Sequence, residues 1–117
     1  APALSSDLED GARLDETIVA RVGELGRRPQ ITANNAGREH WRFCYSGLLA
    51  GGGIRPGVVY GSSDRHAAYP ESDPVSPHDY ATTILHAMGL PTDTALFDRE
   101  NRPHRITSGK VVHGLLT

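Results

Sequence analysis

The segment Ser76-Pro77-His78-Asp79 constrains this chain more than any other. A hydroxyl residue followed three positions later by a carboxylate forms a capping box. Proline suits the first helical position because its missing N–H would have no partner there. Ala81, Ile84, Leu85 and Met88 follow at helical spacing, and Gly89 with Pro91 ends the element, so the sequence predicts a helix from Pro77 to Met88. His78, Thr82 and His86 fall on one stripe of it, opposite Ile84 and Met88. No other part of the 117 residues is as periodic.

The remaining elements are short. Ser6-Asp7-Leu8-Glu9 also has the capping-box form and predicts a helix over Asp7 to Ala12, which reads as the tail of a helix that starts earlier. Thr17 to Gly23 (TIVARVG) is rich in β-branched residues and reads as a strand, with Arg21 awkward there if both faces are buried. Phe43 to Ala50 is a second strand, Gly51-Gly52-Gly53 a turn, and Val58 to Tyr60 a third strand. Gly26 to Gly37 and the stretch holding Pro70 and Pro74 are loops. Ile106-Thr107 and Val111 to Leu116 read as short strands, or the second as a terminal helical turn. Few strands and long loops predict an α/β chain that is the last part of a larger sheet protein rather than a complete one. Residues 1–117 are then one domain or a fragment of one.

Composition excludes several function classes. A formal charge of -2 and the lack of a basic run give no nucleic-acid surface. No apolar run approaches the roughly 20 residues of a membrane-spanning helix. The single Cys44 cannot form a disulfide within the chain.

Glu24 follows the first predicted strand directly, in GELGRRP, where open α/β sheets place ligand-binding groups. His40 follows in GREHW. A carboxylate and an imidazole can share a divalent ion or form a carboxylate-oriented general base. The bland alternative is a solvated loop carboxylate and a histidine at a strand end, and the spacing alone leaves both open. Arg27, Arg28 and Arg38 flank the pair, and their guanidinium forks suit phosphate or sulfate oxygens. Trp41 reads as an anchor for core or loop. Gly51 to Gly53 match no phosphate-binding fingerprint and read as structural. Ser46, Ser62 and Cys44 lack a nucleophile-elbow context, and His66, His104 and His113 read as surface residues.

Read together, LDETIVARVGELGRRPQITANNAGREHW, LLAGGGIRPGVVYGSSD and PVSPHDYATTILHAMGLP resemble the C-terminal part of the sulfatase-like family called domain of unknown function 1501. Its pattern is close to LDDTLVVVMGEFGRTPRIN, GRDHW, LLAGGGIKGG and PVTxxDLxATILHLLGL, in the same order. The resemblance implies a branch of the alkaline phosphatase superfamily, with a mixed sheet between helices and a metal centre at the strand ends. It implies hydrolysis of a small sulfate or phosphate ester with a divalent ion such as zinc, calcium or manganese, and a nucleophile from an N-terminal part. Glu24 and His40 would be metal ligands, and Arg27 and Arg38 would bind substrate. The resemblance also implies export. A different class of reading is a non-catalytic fragment that self-associates through an exposed sheet edge.

Overall fold

The computed structural model describes residues 2–117. In chain order it contains helix α1 (Pro2–Asp10) and strands β1 (Ile18–Val22), β2 (Gly26–Arg27), β3 (His40–Trp41), β4 (Gly47–Gly51), β5 (Ser62–Ser63) and β6 (Pro70–Ser72). Helix α2 (Pro77–Ala87) and strands β7 (Ala95–Phe97) and β8 (Pro103–Arg105) follow, and 3-10 turns lie at Leu14–Glu16 and His113–Leu115. The strands form two-stranded sheets β1–β4, β2–β3, β5–β6 and β7–β8, the last three antiparallel. The fold is mixed α/β with few, short strands, in line with the loop-rich sequence. Among the described residues no helix is long and apolar enough to cross a membrane.

The chain divides into two compact units. One holds the residues up to Ile18, Gly51–Val58 and Val75–Thr117; the other holds Val19–Ala50 and Val59–Pro74.

In the first unit, α2 starts as the sequence predicts. Asp79 N–H donates to Ser76 Oγ at 3.1 Å, and Ser76 N–H donates to Asp79 Oδ2 at 3.2 Å. Met88 is the C-cap, and Gly89 takes the left-handed conformation (φ +85) that ends the helix. Helix α2 buries two hydroxyl-bearing residues. Thr82 and Thr83 are its fully buried residues, whereas Met88 is 64% exposed. The C-terminal segment lies against the threonines and satisfies their hydroxyls. Thr82 Oγ1 bonds Thr107 Oγ1, Val112 N–H donates to Thr83 Oγ1 at 2.9 Å, and Lys110 N–H donates to Asp79 Oδ1 at 2.7 Å. Buried hydroxyls with partners cost little, so threonine is tolerated at these positions.

The buried apolar residues are Ile54 and Leu116, which face each other across a β-bridge. Of the two readings of Val111 to Leu116 the helical turn is the one found: a 3-10 turn at His113–Leu115 is followed by the bridge at Leu116. The glycine triplet is structural, as expected. A Cβ at Gly51, where φ is +96, would stand 1.9 Å from Thr17 O, and one at Gly52 would stand 2.6 Å from Asp15 O. Helix α1 starts at or before Pro2, so Ser6 lies inside it and does not cap it. At the β7–β8 turn the Asp98 carboxylate accepts bonds from Glu100 N, Arg102 N, Arg102 Nε and His104 Nε2.

In the second unit, β1 falls inside the predicted strand, and its Arg21 is exposed. The second predicted stretch, Phe43 to Ala50, is a strand only from Gly47 (β4), because Phe43 instead enters a ring cluster with Trp41 and Tyr69. Val59 and Tyr60 are not a strand either; pairing starts at Ser62–Ser63 after Gly61 (φ +73) turns the chain. Gly61 tolerates no side chain, since its Cβ would come within 2.6 Å of Asp73 O.

Candidate functional site

The four residues singled out from the sequence lie on or beside one element, the β2–β3 hairpin. Its register is Gly26 opposite Trp41 and Arg27 opposite His40. The turn-forming Asn34-Asn35-Ala36-Gly37 run closes the loop. Gly37 N–H donates to Asn35 Oδ1 at 2.9 Å, Thr32 N–H to Gly37 O at 2.8 Å, and Ala36 takes φ 52. Gly26 lets the hairpin approach the chain that follows it, because a Cβ there would stand 2.1 Å from Cys44 O.

The backbone then fixes the arginines. Arg28 N–H donates to Glu39 O at 2.7 Å, Arg38 Nε donates to Arg28 O at 2.6 Å, and Arg27 Nη1 donates to Arg38 O at 3.3 Å. Arg27 and Arg38 each spend one donor on a carbonyl and keep the others for solvent or a ligand. The Arg28–Glu39 ion pair at 3.7 Å is exposed on both sides and holds little. His40 is an exposed residue of β3, opposite Arg27, and Glu24 is exposed in the bend before β2. The hairpin therefore groups His40, Arg27 and Arg38, with Glu24 at its entry. It offers anchored cationic forks and one imidazole, the chemistry of an oxyanion site.

Among the described residues no set of three or more His, Cys, Asp or Glu side chains is placed to hold one ion. Glu24 and His40 are two side-chain ligands, fewer than a closed metal site takes.

A second piece of the unit escaped the sequence reading. Asp64 accepts the backbone N–H groups of Ala68 (2.8 Å), His66 (3.1 Å) and Tyr69 (3.2 Å). These bonds, Ala68 foremost, hold its carboxyl below the usual carboxylate range. Trp41 Nε1 donates to Ala68 O at 2.6 Å, and its ring meets Phe43 and Tyr69 edge to face. Trp41 is thus the anchor the sequence predicts. The available signal for the loop was an Asp ahead of a turn, a type that bonds its own following backbone.

Nothing matches the chain among curated proteins or solved structures. A family model described as protein of unknown function (DUF1501) matches residues 1–116, in keeping with the ordered motifs read from the sequence. The chain belongs to the DUF1501 family.

Proposed function

We propose that this chain is the C-terminal portion of a sulfatase-like, metal-dependent hydrolase of sulfate or phosphate esters, within the alkaline phosphatase superfamily. Arg27 and Arg38 bind the ester's oxyanion. Glu24 and His40 supply two donors to a divalent ion (zinc, calcium or manganese) whose other ligands lie outside the described residues, and the nucleophile is not among the residues assigned. The observation that carries the reading is the β2–β3 hairpin, which sets Arg27 opposite His40 and ties the Arg27 and Arg38 guanidiniums to backbone carbonyls. Such anchoring lowers the entropy lost when the forks close on an anion. The order of the family's motifs along the chain is in keeping with it.

The test is hydrolysis of 4-nitrophenyl sulfate and 4-nitrophenyl phosphate by the protein at its natural length, with each ion added. His40→Ala and Glu24→Ala should lower kcat at least about 100-fold, and Arg38→Ala should raise KM about tenfold. Absence of turnover with every ion, or turnover indifferent to these substitutions, refutes the reading.

A second reading has its own observation. The β1–β4 sheet has two strands, with Val22 52% and Leu48 46% exposed. In this reading the chain is an interaction module that self-associates through that sheet's edge. A monomer by light scattering, at concentrations up to about millimolar, removes it.

A further inference from the structure

A cleft of about 470 Å³ opens in the second unit, beside the hairpin. Its volume lies within the range of small-molecule sites. Arg28, Gln30 and His66 are among its lining residues, as are the aromatic residues Trp41 and Tyr69. No carboxylate lines it.

Both walls are held by hydrogen bonds that owe nothing to a ligand. On one side, residue 28 is fixed twice, through its N–H to Glu39 O and through its carbonyl from Arg38 Nε. On the other, the Asp64 carboxylate clamps the 66–69 backbone. The Trp41 Nε1 bond to Ala68 O joins the two. Among the described residues the Arg28 guanidinium has an exposed pair with Glu39 at 3.7 Å. Such a pair is worth little and gives way to a better anion.

We infer that this cleft binds a ring-bearing anion: a six-membered ring on the Trp41–Tyr69 side, with a phosphate or sulfate group turned toward Arg28 and His66. Aromatic walls favour a ring, the guanidinium favours a tetrahedral oxyanion, and Gln30 can bond a polar ring substituent. The ring can be aromatic or a sugar, and the two share this chemistry. The inference stands apart from the hydrolase reading, in which Arg27 and Arg38 hold the ester's oxyanion: it assigns a second anion site, lined by Arg28 and His66.

Trp41 is the single tryptophan, so its fluorescence reports this cleft without turnover. The protein is titrated with phenyl phosphate, glucose 6-phosphate, inorganic phosphate and phenol, and saturation-transfer NMR serves as a second readout for each. At least one ring phosphate should bind saturably, at about 0.1–1 mM, and at least about tenfold tighter than inorganic phosphate or phenol. Phenyl phosphate alone identifies an aromatic ring, and glucose 6-phosphate alone a sugar. Arg28→Gln and Gln30→Ala should each weaken binding, the first by about tenfold, while Arg55→Ala, in the other unit, leaves it unchanged. Far-UV circular dichroism checks that the variants fold. The inference is overturned if neither ring phosphate binds by either readout, if inorganic phosphate binds as well as they do, or if both cleft variants bind like the parent. Saturable binding with no hydrolysis upholds the cleft and removes the hydrolase reading.

Discussion

The two glycines of Gly23-Glu24-Leu25-Gly26 look alike in the sequence and differ sharply in the structure. A methyl group on Gly26 would meet Cys44 O at 2.1 Å, Trp41 O at 3.1 Å and Tyr45 Cβ at 3.1 Å. Ordinary contact begins near 3.4 Å, so the Cys44 carbonyl would have to retreat by more than an ångström. It cannot do so alone, because Gly26 is paired with Trp41 in β3. Overpacking of this kind costs about 1–3 kcal/mol, and backbone obstacles put Gly26→Ala in the upper half of that range. At Gly23 the nearest atom to a Cβ is Leu25 O at 3.5 Å, an ordinary contact, and no left-handed φ is required. Gly23→Ala should therefore be neutral, or stabilising by up to about 1 kcal/mol through the unfolded chain. Urea unfolding followed by Trp41 fluorescence measures both, since that tryptophan lies in the same unit. Gly26→Ala should lower the midpoint with the slope unchanged. A Gly26→Ala midpoint equal to the parent's, or equal losses at both glycines, would refute the packing argument.

Other expectations follow from the first unit. Thr83→Val keeps the side-chain volume but leaves Val112 N–H without its acceptor, which should cost about 1–2 kcal/mol in urea unfolding and speed exchange of the Val112 amide. A Cβ on Gly109 would stand 2.3 Å from His78 O, so Gly109→Ala should release the Thr107–Val112 segment from α2, seen as faster exchange of the Lys110 and Val112 amides. Asp98 is held at about 2, from an ordinary 3.8, chiefly by its bond to His104 and then by Arg102 N–H. A depressed carboxyl contributes stability that is complete above its unfolded pKa and is lost as the pH falls through the folded one. The β7–β8 turn should therefore loosen between about pH 4 and pH 2, and Asp98→Asn should remove that dependence; carboxyl chemical shifts followed by NMR check it.

Helix α2 was legible because its cap is local: Ser76, Pro77 and Asp79 specify its start whatever packs on it. The sheet was less legible. Val58 to Tyr60 has strand propensity, yet the pairing falls at Ser62–Ser63, because Gly61 and a partner strand at Pro70–Ser72 decide it. The burial of Thr82 and Thr83 was not legible either, since it draws on hydrogen-bond partners far along the chain. The motifs GELGRRP and GREHW did mark one structural element, the β2–β3 hairpin, although no residue between them has helix or strand periodicity. The Asp64 clamp and the cleft beside it were not legible, because they join residues 28–30, 41 and 64–69, whose meeting is tertiary.

The most direct measurement is the divalent metal content of the protein at its natural length, by mass spectrometry, beside Glu24→Ala and His40→Ala. The account predicts near-stoichiometric zinc, calcium or manganese that either substitution sharply lowers. Metal content at background in the parent, or full metal content in both variants, would contradict it.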